Sequence, residues 1–545
     1  MKIKYIIYCT TIVLLAACSS SDEPPYALFD TARSSYFAGD EIKMNNKSNG
    51  EGVSYTWHFG DGQTSTEASP IVVYTEPGGY TIKLTVSGEG GTSEHKRLIN
   101  IDQPARSVGE IDINWLSGKT FGYIQATSPA VDLQGNVVIA SADNILRKFS
   151  KVDGSQMWEF NLWNPADGTL PTGATLAVPS IDTDGTIYMG TGNGTNGRFY
   201  AINSDGTKKW MVPYGDNGFW AASGTPNPKI NHLNAAIGDN SIYIGNGGTT
   251  GSVLAIDKTT GYRKAYVANN SNGGPGGGVS SGVLLDNKNR LFWQGGIYGL
   301  FRASASKMEI DARVNWDWRF YTYAGEESIN SAMAIGSDGT IYGLANFKTV
   351  GKVIFALDGN ATEEWPKAKW YCALESVGSV DQGGVAIGAD GTIYSGLKRA
   401  VGTEGGGIVA VNPDGSIRWR YGIPQDVSGT PAIDQAGNIH FATDGGQYYI
   451  LSSDGTTEIF LSDLAELIIR KYPEIAAKWA VGQTKCWNSP VIDSDGTIYI
   501  GVTNMENDKR ESVLLSLKHK SVTGPANSVW PMRGQNAQRT NRQPN

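Results

Sequence analysis

Cysteine and histidine are scarce in this chain, with four Cys and five His among 545 residues. The histidines (His58, His95, His232, His440, His519) are scattered, without an HExxH pair or any spacing suited to a zinc site. Cys9 lies inside an apolar N-terminal run and Cys18 just after it. Cys372 and Cys486, two repeats apart on the count below, leave both a disulfide and a pair of buried thiols open. Basic residues are also short: 45 Lys and Arg face 53 Asp and Glu, for a net charge of -8. An acidic chain without a basic cluster argues against nucleic acid as partner. No GxxxxGK[ST] loop and no GxSxG elbow occurs. Gly192 to Gly197 matches GxGxxG, but a strand-like run from Phe199 to Asn203 follows where a phosphate cradle needs a helix. Asp182-Thr183-Asp184-Gly185 and Asp493-Ser494-Asp495-Gly496 share the opening of a calcium loop and lack its later acidic ligands. No catalytic residue and no metal site is expected.

What the chain has in abundance is glycine (69 residues) and one repeated phrase. Its cleanest copy runs from Ser489 to Gly501: small residue, apolar pair, Asp-Gly turn, alternating strand. Val491-Ile492 and Ile498-Tyr499-Ile500 suit a pleated, half-buried surface. The Asp and Gly between them supply side-chain acceptors and positive φ, so the stretch reads as a hairpin. Aligned on the turn residue, copies fall at Gly135, Gly185, Asn240, Asn289, Gly339, Gly391, Gly437 and Gly496. A second turn and an aromatic follow: Trp158, Trp210, Trp318, Trp365, Trp419 or Phe460, with Tyr266 in copy three. Eight copies of two hairpins at a period of roughly fifty residues fit an eight-bladed β-propeller of four-stranded blades. Copy eight lacks a downstream aromatic. A strand near Trp115 therefore completes the last blade and closes the ring, which removes the exposed sheet edges.

Residues 1–17 form a leader: Lys2 and Lys4, then an apolar run from Ile6 to Ala17 that is too short to span a membrane. Residues 18–26 are a polar tether. Residues 27–103 alternate in short strands, with Trp57-His58-Phe59-Gly60-Asp61-Gly62 and Pro77-Gly78-Gly79-Tyr80 to Val86 as signposts of an Ig-like β-sandwich. A linker covers 104–109 and the propeller 110–545. The fold class is all-β with one helical insertion, 461–480, with Ser462 as N-cap and Leu464, Leu467 and Ile468 on one face. This insertion is a candidate partner surface. Ser128, Asn234, Ser281, Ser331, Thr430 and Ser489 enter the innermost strands and either line a polar funnel or are small because strands converge there. Trp163, Trp220, Trp370, Tyr371 and Trp487 lie in or beside the loops between copies. Such aromatics can stack on sugar rings or cap the core; they are the candidate ligand-binding residues.

Three resemblances sharpen this reading. Leu15-Ala16-Ala17-Cys18 resembles a bacterial lipobox, which implies lipidation at Cys18. The acidic residues soon after it resemble a surface-export signal, which implies an outer-membrane lipoprotein exposed on the cell surface, a periplasm-facing anchor being the alternative. The Trp-x-Phe-Gly-Asp-Gly and Pro-Gly-x-Tyr stretches resemble the PKD domain, an extracellular spacer or weak binding module, with His58 in place of its usual Asp or Asn. The eightfold repeat, and the closing Trp530-Pro531-Met532-Arg533-Gly534-Gln535-Asn536-Ala537-Gln538-Arg539-Thr540, resemble PQQ-like, quinoprotein-type propellers over roughly residues 108–545. That family mixes enzymes with scaffolds. Its dehydrogenases carry an adjacent Cys-Cys disulfide and a calcium constellation around PQQ, and neither can be matched here. No cofactor is therefore expected, neither PQQ nor Ca²⁺. The expected function is a non-catalytic, membrane-anchored binding or scaffold platform for polysaccharide or outer-membrane proteins. The alternatives are a PQQ-dependent dehydrogenase and a scaffold of outer-membrane protein assembly.

Overall fold

The computed structural model describes residues 24–544 apart from 32–34, 40, 51, 103–108, 118–121, 125–126, 163–176, 192–197, 213–233, 247–251, 269–278, 280–281, 296–299, 310–312, 315–317, 321–330, 348–350, 364–366, 375–382, 399–405, 475–478, 480–481 and 506–509. The chain divides into two compact units, 1–104 and 105–545. In the first, Ser35–Phe37, Gly91–Asp102, Gly78–Gly88, Ser54–His58 and Thr64–Ser65 form a five-stranded sheet, beside two short strand pairs. Alternation along Ser54–His58 turns Trp57 fully into the core, where its indole meets Phe29 edge-on at 4.9 Å and donates to the Glu67 carbonyl. Gly60 takes φ 86 against Thr81, whose backbone lies 3.0 Å from where a Cβ would sit, so the turn after Phe59 needs glycine.

The second unit is a ring of eight blades of four antiparallel strands running outward from the axis; in blade three a short fifth strand, Arg313–Val314 from within blade four, pairs parallel with the outermost strand Arg263–Ala268. In blade one the four strands are Ala130–Val131, Val137–Ala140, Ile145–Phe149 and Gln156–Asn161. Blade eight is assembled from both ends of the unit. Val491–Ile492, Ile498–Asn504 and Glu511–Lys518 are completed by Asp112–Leu116, which pairs antiparallel with Leu515 to Lys518 and contains Trp115. The innermost strands have buried side chains and are only two or three residues long, since eight of them converge on one axis. The outermost strands alternate between buried or half-buried and exposed residues, as in Gln156–Asn161.

The Asp-Gly turn is the same device throughout. The Gly135 N–H donates to the Asp132 carbonyl at 2.9 Å, and Gly185, Gly339, Gly391, Gly437 and Gly496 repeat this bond with φ near +80. Neighbouring blades are locked by tryptophan. The indole nitrogens of Trp115, Trp158, Trp210, Trp370 and Trp419 donate to the carbonyls of Lys151, Ser204, Lys258, Pro413 and Ser453 in the second hairpin turn of the next blade. Their rings lie under Gly154, Gly206, Gly261, Gly415 and Gly455.

Three expectations are corrected here. The blade-five lock is Trp370, whereas Trp365 lies outside the described residues. In blade three the register position beside the β-bulge holds Ala265, with Tyr266 one residue beyond it. The helix, α1, spans Leu464–Lys471 and is capped by Asp463, which accepts from the Ala465 and Glu466 N–H groups, while the Ser462 hydroxyl donates to the Asp463 carbonyl instead. The apolar face of α1 packs into the same core as Ile113 and Trp115 of the closing strand.

Candidate functional site

Alternating strand direction sorts the connections of every blade onto two ends of the ring. The Asp-Gly turns and the second hairpin turns lie at one end, the turn face. The links between second and third strands, and those from the outermost strand of one blade to the innermost of the next, lie at the other, the loop face. An outer-to-inner link crosses three strand spacings of about 4.8 Å, which roughly five extended residues can bridge. The links 162–179, 213–235, 269–283 and 321–333 are all longer than crossing requires, and the strands that they join end on the loop face. The Asp-Gly turns at the opposite end are tight.

The two ends also differ in how they are closed. Towards the turn face the axis is filled by the C-terminal segment, with Arg539 fully buried. Its guanidinium donates to main-chain carbonyls of Pro129, Arg533, Ser489 and Pro490, and to no carboxylate. Burial, together with the neighbouring Arg533 cation, holds Arg539 down to about 9. Above it the strand-entry residues make a buried ring: Thr430 N–H donates to Ser489 Oγ, and Ser489 N–H to Ser128 Oγ. Asn234 and Ser331 are buried as well, while Ser281 lies outside the described residues. Ser128, Thr430 and Ser489 are thus bonded to one another, while the Ser331 hydroxyl donates to the Leu344 carbonyl and the Asn234 carbonyl accepts from Asn541.

On the loop face the described residues between blades six and eight form a polar shelf. Asp444, in the short link of blade seven, accepts from the Ser428 N–H at 3.0 Å and its hydroxyl at 2.6 Å, and its own N–H donates to the Asp426 carbonyl. Burial pushes the Asp444 carboxyl above its ordinary value, against the pull of the Ser428 hydroxyl and Lys398. Nothing in the repeat pattern marked Asp444 or Ser428. The signal available was Thr443-Asp444-Gly445-Gly446, a link too short to carry a loop.

Of the candidate ligand-binding residues, Trp163 and Trp220 lie outside the described residues, as does Cys18. Trp487 is half-buried in the segment that enters the innermost strand of blade eight from the loop face. Trp370 and Tyr371 sit in the outermost strand of blade five, Ala368–Ala373. Trp370 is engaged by blade six, and Tyr371 is 45% exposed on the rim. The structure therefore separates Trp370 and Tyr371 from Trp487, and the inter-blade lock gives Trp370 a packing role.

A bound quinone with its calcium ion would need a cluster of oxygen ligands. Among the described residues no group of three or more His, Cys, Asp or Glu could hold a metal ion. Cys372 and Cys486 are buried free thiols on blades five and eight, three blades apart and without a disulfide. No step is derived through that cofactor. No helix among the described residues is long and apolar enough to cross a membrane.

Comparison with known proteins agrees with this architecture. A PKD domain model matches residues 23–102, and a model described as outer membrane protein assembly factor BamB matches residues 118–288. A pre-pro-metalloprotease of Vibrio cholerae serotype O1 is 36% identical over 101 residues, 18% of this chain and 11% of that protein. The chain thus spans about a tenth of the length of the curated relatives it matches. Among solved structures, the quinohemoprotein alcohol dehydrogenase ADHIIG from Pseudomonas putida HK5 aligns with a TM-score of 0.52 at 12% identity, covering 78% of each chain. The corresponding enzyme from Comamonas testosteroni gives 0.52 at 12% identity, over 76% of this chain and 77% of its own. Likeness at this identity shows the fold alone. The chain carries a PKD domain followed by a propeller of the PQQ-like fold shared by BamB and the quinoprotein dehydrogenases.

Proposed function

We propose that this protein is a non-catalytic outer-membrane lipoprotein, anchored through Cys18 and exposed at the cell surface, whose propeller binds carbohydrate on its loop face. The observation that carries the reading is the asymmetry of the ring: one end of the axis is filled by buried chain, and the four long inter-blade links between blades one and five join strand ends at the other. Trp220 belongs to the longest of the links between blades one and five, and Trp487 enters blade eight from the same end. A flat indole offers a sugar ring an apolar stacking face, and the polar shelf around Asp444 and Ser428 offers hydrogen bonds to hydroxyls. A PKD domain between anchor and propeller acts as a spacer.

The test is a glycan-array screen of the full chain in detergent, with and without PQQ and Ca²⁺. Binding to one polysaccharide class, weakened at least tenfold by Trp220→Ala or Trp487→Ala, is the expected result. PQQ-dependent dye reduction without glycan binding would overturn it. A second reading, a scaffold for outer-membrane protein assembly, is favoured by the BamB model match over residues 118–288. It predicts co-purification of outer-membrane β-barrel assembly components and no glycan binding.

A further inference from the structure

The innermost strand of each blade pairs on one side with its neighbour and presents its other edge to the axis. Such an edge is a row of unpaired main-chain donors and acceptors, which chains normally pair or cover. Here one segment of the same chain covers it. The N–H groups of Ile387, Ile433, Val131, Ile181, Ile237 and Leu285, in blades six, seven, one, two, three and four, donate to the carbonyls of Trp530, Pro531, Ala537, Gln538, Thr540 and Asn541 at 2.7 to 3.0 Å. The Gln543 side-chain amide donates to the Gly336 carbonyl of blade five at 2.9 Å, and Arg539 donates to Ser489 and Pro490 of blade eight. All eight blades are met by one short stretch, in ring order except for blade eight, which Arg539 reaches after blades one and two. The stretch holds its own turns: Gln535 N–H to the Met532 carbonyl, Arg539 N–H to Asn536, Asn541 N–H to Gly534. Gly534, Gln535, Arg539 and Asn541 all have positive φ, which three non-glycine residues adopt only when the surroundings demand it.

The geometry points to the axial strand edges as a peptide-binding groove whose occupant is this chain's own C-terminal segment, 525–544, recognised through main-chain hydrogen bonds and keyed by Arg539. Recognition of this kind is strand-edge addition bent into a circle, in which backbone bonds hold the peptide and one side chain sets its register. Arg539 reaches blade one through Pro129 and blade eight through Ser489 and Pro490, the two blades where the ring is sewn shut. The segment lies beyond the last blade strand, which ends at Lys518, and contributes no ladder strand to any blade. Groove and occupant are therefore separable parts, and a second copy of the segment fits a vacated groove.

The test uses amide exchange and peptide binding. In the full chain, exchange at Val131, Ile181, Ile237, Leu285, Ile387 and Ile433 is slow. Arg539→Ala speeds it roughly a hundredfold at these six while Leu254 and Val409, in third strands, stay protected. A synthetic peptide of residues 525–545 binds a chain ending at Gly524 and restores its protection, and it does not bind the full chain. Unchanged exchange at the six amides in Arg539→Ala would overturn the inference, as would a peptide that binds both chains alike or neither. If the shortened chain does not fold, the exchange pattern of Arg539→Ala decides alone.

Discussion

Gly261→Ala is the sharpest probe of how the blades interlock. Gly261 has φ +75, and a Cβ there would lie 2.7 Å from Cδ2 and 2.9 Å from Cε3 and Cγ of Trp210. The indole cannot swing aside: it is 9% exposed, its nitrogen is held by the Lys258 carbonyl at 3.0 Å, and Tyr188 and Phe199 pack at 5.9 and 6.2 Å. Left-handed φ costs alanine about 1 kcal/mol, and overpacking adds about 1–3 kcal/mol. The variant is thus destabilised by roughly 2–4 kcal/mol on these two terms. Trp210→Ala alone removes the ring and costs about 3–5 kcal/mol. In the double variant the steric part vanishes and the φ part stays, so the two losses fall short of additivity by about 1–3 kcal/mol. Urea unfolding of the four proteins, followed by fluorescence, measures the cycle. Additivity within about 0.5 kcal/mol would refute the lock.

Three further outcomes are expected. Glu309, in the blade-four insertion, accepts from Lys264, from Tyr243 at 2.8 Å and from Ser241 at 3.1 Å, standing in for the turn aspartate that pairs with Lys209 in blade two and Lys369 in blade five. Glu309→Gln lowers stability by about 1 kcal/mol, since the group is partly exposed, and speeds amide exchange in blade three; an unchanged urea midpoint would contradict this. Burial would raise the Asp495 carboxyl, but Lys151 and Thr497 outweigh it and hold it at about 2. Its folded value lies below its unfolded one, so its stabilisation is present above the ordinary carboxylate range and is lost as pH falls through about 2. Lys151→Met therefore flattens the acid side of a Tm-versus-pH profile, and a profile unchanged in shape would count against the pair. Cys486 is fully buried and burial pushes its thiol well up, so it resists a thiol reagent in the native protein. Both it and Cys372 label after denaturation without reductant; a requirement for reductant would contradict the two free thiols.

Much of the fold is legible in the sequence because the repeat encodes it locally. Asp-x-x-Gly fixes the first hairpin of blades one, two, seven and eight by one carbonyl bond and one positive φ, Gly-x-Asp-Gly does the same in blades five and six, and both follow from residue type. The closing strand around Trp115 was legible because the last repeat lacked an aromatic and the first had one to spare. Where reading failed, the cause was register or distance in sequence. Trp365 and Trp370 both follow the second turn of blade five, and only the bulge beside Ala356 selects Trp370. Ser462 and Asp463 are both good caps, and the start of the helix at Leu464, which brings the Ala465 and Glu466 N–H groups to Asp463, decides between them. Glu309 completes a turn of blade three from within blade four, and the axial carbonyls of Trp530 to Asn541 carry no side-chain signature. The site is less legible than the fold for the same reason. Stacking aromatics and packing aromatics are one residue type, and only partners such as the Pro413 carbonyl on Trp370 tell them apart.

The most direct test of the central claim is a footprint. The full chain is incubated with the polysaccharide that retards it most in an affinity gel, and amide exchange is compared with and without the glycan. The account predicts protection confined to the loop face, in 162–179, 213–235 and 482–490, and abolished by Trp220→Ala or Trp487→Ala. Protection on the Asp-Gly turns of the opposite face, or none with any polysaccharide, would contradict it.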